Sequence, residues 1–245
     1  MNNNLSLIIP TLAGLSTIIG FLPIYLPENN QNNIIPLSIS FSASVMILIS
    51  LFSLIPESFY YLKIIDFKNI IIVLIAINIG IIISNITNKK VGNNNYSNLY
   101  KLGIISLLAI ILHNIPEGII TYLTTNNNLK LGITLSIGIA LHNIPEGIAI
   151  AIPIYYSTNS KLKAFIYTLV SGFSELLGAI FAHLFLKRIT NNLFLSMILG
   201  ITAGIMINLS LTELIPESLT YNKKRTTLLG ILLGIIIIII TKLLN

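Results

Sequence analysis

The stretch LGIISLLAIILHNIPEGIITYL, residues 102–123, sets His113 and Glu117 in the middle of an otherwise apolar run. The same hexapeptide, His-Asn-Ile-Pro-Glu-Gly, returns 29 residues later as His142–Gly147. About 20 apolar residues cross a bilayer as a helix, and an ionisable side chain at midspan is costly enough to mark a functional site by default. His at i and Glu at i+4 share one helix face. Two antiparallel spans presenting that pair to each other bring two imidazoles and two carboxylates together.

Working outward, the whole chain reads as membrane protein. Of 245 residues, 54% are hydrophobic and 9% charged, against roughly 25% charged in an ordinary soluble domain. The mean hydropathy is +0.89. These values exclude a soluble enzyme, a disordered chain and a nucleic-acid binder. The net charge of +6 comes from basic residues scattered through short loops, the pattern of loops beside membrane spans and not of a phosphate-binding face. With no cysteine, disulfides, thiolate metal sites and thiol chemistry are excluded.

Polar breaks divide the chain into eight expected spans: Leu5–Leu26, Ile34–Leu62, Asn69–Ile86, Leu99–Leu123, Leu129–Tyr156, Leu162–Leu186, Leu193–Leu219 and Leu228–Leu244. The breaks are Pro27–Asn30, Lys89-Lys90 through Gly92–Asn98, Asn126–Asn128, Thr158–Lys163, Lys187–Asn192 and Asn222–Arg225. Continuous runs such as Ile235–Ile240 do not alternate as a transmembrane β-barrel would. The expected fold is therefore all-α, a polytopic bundle of eight helices forming one domain over residues 1–245. The first span lacks a basic leader and a small-residue cleavage site, so it is expected to be retained. Eight basic residues fall on one side and six on the other, which favours both termini outside the cytoplasm.

A longer repeat frames the hexapeptides. Ala43–Ser58 (ASVMILISLFSLIPES) and Ala203–Ser218 (AGIMINLSLTELIPES) match at ten of sixteen positions. Spans 2 and 7 cross in opposite directions, as do spans 4 and 5. The expectation is an inverted repeat, spans 1–3 against 6–8, around the pair 4 and 5, as in transporters whose sites lie at the midplane.

The ionisable groups sort by depth. His113, Glu117, His142 and Glu146 fall midway along spans 4 and 5, and Glu175 midway along span 6. Asn114 and Asn143 lie about 100° round their helices and offer neutral oxygen ligands. Pro116 and Pro145 remove amides that would bond the Leu112 and Leu141 carbonyls. Gly118 and Gly147 permit close helix approach. Imidazole and carboxylate donors without sulfur suit a divalent ion such as Zn²⁺, Fe²⁺ or Mn²⁺. Glu57 and Glu217, near helix ends, are expected at the rim. His183 is expected there too, and Glu213 either lines an entrance or bonds within the bundle.

The paired hexapeptides, with Ser171-Gly172 through Glu175 and AGIMI through ELIP of span 7, resemble the ZIP (Zrt-, Irt-like) family of divalent-metal importers, most of all its bacterial members. The resemblance implies eight spans and a binuclear metal centre midway across the membrane. It assigns one ion to His113, Glu117, His142 and Glu146. The second goes to Asn114, Asn143 and Glu175, sharing the two glutamates. It also places Met46 near the first ion and Ser53 towards the entrance, and implies that spans 1, 4, 5 and 6 slide against 2, 3, 7 and 8. Some members carry Asp where Asn143 stands, and several an ionisable group where Ser53 stands. The His-rich loop of many eukaryotic members is absent from Thr87–Asn98.

The expected function is import of a divalent transition-metal ion, Zn²⁺ first, with Fe²⁺, Mn²⁺ and Cd²⁺ as other cargoes, across the cell membrane by alternating access. The alternatives are a metal-selective channel and an exporter using the same site. An intramembrane metalloprotease would show H-E-x-x-H with Glu beside the first His; here Asn follows His, and no catalytic group or enzymatic cofactor is expected. The expected partners are lipid and metal ions, with a homodimer as the one assembly considered.

Overall fold

A computed structural model describes residues 3–25, 31–63, 66–92, 97–186 and 191–244. Among these, eight helical segments follow one another: α1 (Asn4–Tyr25), α2 (Asn32–Leu62), α3 (Phe67–Val91), α4 (Asn98–Asn127), α5 (Leu129–Thr158), α6 (Lys161–Leu186), α7 (Asn192–Thr220) and α8 (Lys224–Leu244). The first seven are long and apolar enough to cross a membrane. The eighth has 21 residues, about 31 Å at 1.5 Å per residue. The exterior is apolar, with Leu74, Ile75, Leu229 and Ile236 exposed, while Ser, Thr, Asn, His and Glu side chains are buried among the helices. That is the arrangement of a bundle held in lipid by packing and interhelical hydrogen bonds.

Short polar residues set the turns. Ser97, Asn128, Ser160 and Asn191 each accept a backbone N–H of the helix they open, the N-cap chemistry that stops a preceding helix and starts the next. Asn159 closes α5 in the left-handed region at φ 50°. Two expected breaks are shorter than the sequence suggests. Lys89-Lys90 remain in the last turn of a helix running to Gly92, where cations favour the carboxyl end of the helix dipole. Asn126 and Asn127 are helical, leaving Asn128 alone as the loop. The Pro27–Asn30 break, and Lys187 and Arg188 of the charge comparison, lie outside the described residues.

The inverted repeat is visible in the backbone. In α2, Ser50–Leu54 is a π turn closed by the Ile55 N–H on the Ser50 carbonyl; in α7, Ser210–Leu214 is a π turn closed by Ile215 on Ser210. Each precedes the Pro of the Ile-Pro-Glu-Ser match, Pro56 or Pro216, which has no N–H to continue the α pattern. The packing obeys the same exchange. α2 packs on α8 as α7 packs on α3, and α4 on α6 as α5 on α1. A β-carbon at Gly118 would overlap the Glu175 carbonyl, and one at Gly147 the Thr17 carbonyl. Gly204 sits on the Ile77 carbonyl, and its counterpart Ser44 donates to the Ile231 carbonyl at 3.0 Å.

The exchange also pairs α1 with α6, a match the sequence conceals. Ser16 donates to the Ala13 carbonyl and Ser174 to the Ser171 carbonyl, while Gly14 and Gly172 lie against each other's carbonyl oxygens. In this register Thr17 stands opposite Glu175. Back-bonding by Ser16 and Thr17 onto carbonyls three residues earlier accompanies the tightening of α1 into a 3-10 helix over Ser16–Tyr25.

Candidate metal centre

A single-residue turn fixes the depth of both hexapeptides. The Asn128 N–H donates to the Thr124 carbonyl at 2.8 Å and ends α4; its side chain accepts the Leu131 N–H and begins α5. His113 lies 15 residues before Asn128 and His142 14 after it, so both sit about 21–22 Å from the turn at 1.5 Å per residue. The antiparallel pair thus brings its imidazoles to one level, with ring centroids 6.2 Å apart.

The four side chains converge. Glu117 Oε1 is 3.4 Å from His113 Nε2 and 3.1 Å from His142 Nε2, and Glu146 Oε1 is 3.0 Å from His113 Nε2. One ligand atom each from His113, His142 and Glu146 lies within 4.8 Å of the others. A tetrahedral zinc ion with bonds of about 2.0–2.1 Å separates its ligand atoms by roughly 3.3 Å, close to these nitrogen–oxygen spacings. His142 Nε2 and Glu117 Oε1 meet as a hydrogen bond. His113 Nε2 and Glu146 Oε1 reach bonding distance without the alignment of one, and both remain unpartnered. All four residues are buried. Unpaired donors and acceptors are expensive there, whereas lone pairs directed at a common cation are satisfied by it.

A second group of oxygens adjoins the first. Asn114 Nδ2 donates to the Ser171 carbonyl of α6 and Asn143 Nδ2 to the Ala13 carbonyl of α1, each at 3.0 Å, again obeying the exchange. Asn143 Nδ2 also donates to Glu175 Oε2 at 3.0 Å. These bonds fix the amides so that Oδ1 of both Asn residues stays buried without a partner, as do Glu175 Oε1, Glu117 Oε2 and Glu146 Oε2. Burial of Asn114, Asn143 and Glu175 is complete.

A cavity of about 320 Å³ leads to this centre from the end of the bundle where α2 and α4 finish and α5 begins. Glu117 and His142 line it, together with Val45, Ile49, Ser53 and Glu57 of α2. Ser53 thus stands on the approach. Met46 is buried in the core, and its neighbours Val45 and Ile49 are the ones that face the cavity. Glu57, half-buried with five residues of α2 beyond it, lies on the outer part of the cavity wall. Nothing in its sequence position alone distinguishes it from Glu217. Glu213 bonds within the bundle, accepting Asn88 Nδ2 at 2.8 Å. His183 is half-buried in the last turn of α6, with Nδ1 2.8 Å from the Tyr122 hydroxyl.

The cavity is one-sided. Its lining includes Val45, Ile49, Gly138 and Ile139 and none of their counterparts Ile205, Leu209, Ala109 and Ile110. One interhelical latch is likewise one-sided: Ser42 Oγ donates to the Pro145 carbonyl at 2.6 Å, while its counterpart Thr202 has a buried hydroxyl without a partner.

Eight helices in an inverted arrangement, seven of them long and apolar enough to cross a membrane, with an imidazole–carboxylate cluster at the crossing of the central pair, define a polytopic membrane protein with a candidate metal centre. The sequence profile of the family described as ZIP Zinc transporter matches residues 84–242. The chain is 34% identical to the zinc transporter ZupT of Streptococcus mutans, over 97% of this chain and 96% of that one. It is 33% identical to the ZupT of Campylobacter jejuni, covering 95% and 94%, and 31% identical to that of Chlorobaculum parvum, also 95% and 94%. The chain belongs to the ZIP family.

Proposed function

We propose that this protein imports divalent transition-metal ions, with Zn²⁺ as the principal cargo and Fe²⁺, Mn²⁺ and Cd²⁺ as further candidates. The observation that carries the reading is the convergence of His113, Glu117, His142 and Glu146 from two antiparallel helices, with three imidazole–carboxylate pairs at 3.0–3.4 Å. Two carboxylates neutralise a dication at a depth where uncompensated charge is expensive. The role is that of a carrier and not of an enzyme. Residues 1–245 act as one transport domain.

In this reading the first ion takes the four His and Glu side chains. A second takes Asn114 Oδ1, Asn143 Oδ1 and Glu175, sharing oxygens of Glu117 and Glu146, an assignment supported by their lack of other partners. A cavity lined by Val45 and Ile49 of α2 and not by their counterparts Ile205 and Leu209 of α7 supports alternating access over an open channel. Both termini and the open cavity face outside the cytoplasm, so the ion enters past α2. The centre is complete within one chain, and a homodimer would join two such carriers.

Reconstituted into proteoliposomes, the protein is expected to take up radioactive Zn²⁺ saturably. His142→Ala and Glu117→Ala should each abolish uptake while leaving a folded protein, as judged by elution from a sizing column. Wild-type uptake in either variant would refute the site. Tags at each terminus, probed in intact cells, test the orientation.

A further inference from the structure

The approach to the metal centre poses an electrostatic problem. Between its mouth and the Glu117–His142 floor, the cavity is walled chiefly by aliphatic side chains, among them Val45, Ile49, Ile120 and Ile139. A hydrated dication moving along such walls leaves high-dielectric solvent before any ligand replaces its water. One carboxylate lies on that route apart from the floor itself, Glu57.

The placement follows from the helix that carries it. Val45, Ile49, Ser53 and Glu57 are spaced four apart and all line the cavity. In a regular α-helix four residues overshoot a turn by about 40°, so such a stripe would wander off the wall within three steps. The π turn at Ser50–Leu54 takes up an extra residue and holds the stripe in line. Its counterpart in α7 reads Ile205, Leu209, Glu213 and Glu217. The carboxylate that α7 has at the Ser53 level is therefore missing from α2, where Glu57, one turn further out, is the only charge on the stripe.

We propose that Glu57 is an outer cation station, holding a partly hydrated divalent ion at the mouth of the cavity before His142 and Glu117 take it. Ser53 provides a neutral oxygen between the two levels. The station raises the local concentration of dication above the floor site, as charged groups in low-dielectric clefts do. It governs capture and leaves the exchange of access untouched. This inference rests on the import reading of the deeper site.

The test is Zn²⁺ uptake kinetics in proteoliposomes with Glu57→Gln, with and without Ser53→Glu. Glu57→Gln should raise KM about tenfold, with the maximal rate within about twofold of wild type. Adding Ser53→Glu, which returns a carboxylate to the same wall one turn inward, should recover most of that KM. An unchanged KM in Glu57→Gln would overturn the station. A lost maximal rate that Ser53→Glu does not restore would overturn it too, since it marks a structural role. Zn²⁺ titration in detergent reads the station without transport: wild type should show a weak class of site beyond the tight one, and Glu57→Gln only the tight one. If wild type takes up no Zn²⁺, the import reading fails while that titration still decides whether Glu57 binds the ion. A weak class retained in Glu57→Gln would refute the station.

Discussion

At the residue scale, Asn143 is where hydrogen bonding and metal ligation meet. Its Nδ2 holds both the Ala13 carbonyl and Glu175 Oε2, and its Oδ1 is free to bind an ion. Asn143→Asp would exchange a donor for a second carboxylate beside Glu175, losing two bonds and adding repulsion, roughly 2–4 kcal/mol in such a buried setting. The metal-free variant should therefore unfold several degrees below wild type, and saturating Zn²⁺ should raise its midpoint by more than it raises the wild type's. Thermal unfolding in detergent with chelator or Zn²⁺ checks both, and an equal Zn²⁺ shift would argue against Asn143 as a ligand. The hexapeptides were legible in the sequence because charge at midspan is rare and two copies at matched offsets are rarer. The anchoring of both Asn amides on carbonyls of α1 and α6 was not legible, since backbone acceptors leave no trace in residue identity. Glu57 was legible only as a carboxylate near a helix end, and it is the course of the cavity that adds its place on the approach.

At the scale of elements, glycines decide how near the helices come. Gly118 and Gly178 both abut backbone of the facing helix at the α4–α6 crossing, and Gly147 and Gly20 do so at α5–α1. A backbone carbonyl cannot swing aside as a side-chain tip can, so Gly118→Ala should force the helices apart at the level of the metal ligands. A cost of about 1–3 kcal/mol is the usual range for overpacking. Gly138→Ala is the control, because a β-carbon there meets nothing within 4 Å and gains up to about 1 kcal/mol of helix propensity. Melting curves of the two variants should move in opposite directions; a neutral Gly118→Ala would show that the crossing is looser than described. Span positions were legible because apolar length is a strong signal. The π turns were not, because Pro56 and Pro216 announce an interruption without specifying how the backbone accommodates it.

At the scale of the molecule, the two approaches to the centre are related by the repeat yet differ in state. The chain has no cysteine, so single introduced thiols report access directly. A cysteine at Ile49 should react with a membrane-impermeant thiol reagent applied from the side of the cavity, and excess Zn²⁺ should slow it. A cysteine at its counterpart Leu209, which is not part of the cavity lining, should stay unlabelled from either side while this state is held; ready labelling would mean that both ends open at once. The relation between spans 2 and 7 was legible from ten shared residues. That between spans 1 and 6 was not, because it is carried by Gly14 with Gly172 and Ser16 with Ser174 in a background of interchangeable leucines and isoleucines. It is broken where it matters most, with Thr17 facing Glu175. A frame so nearly even-handed, with an acid opposite a hydroxyl at Glu175 and Thr17 and again at Glu213 and Ser53, can spend unequal time in its two postures. It cannot thereby become a one-way valve: occupancy is an equilibrium property, and the sign of net flow belongs to the voltage and the concentration differences that the cell maintains across the bilayer.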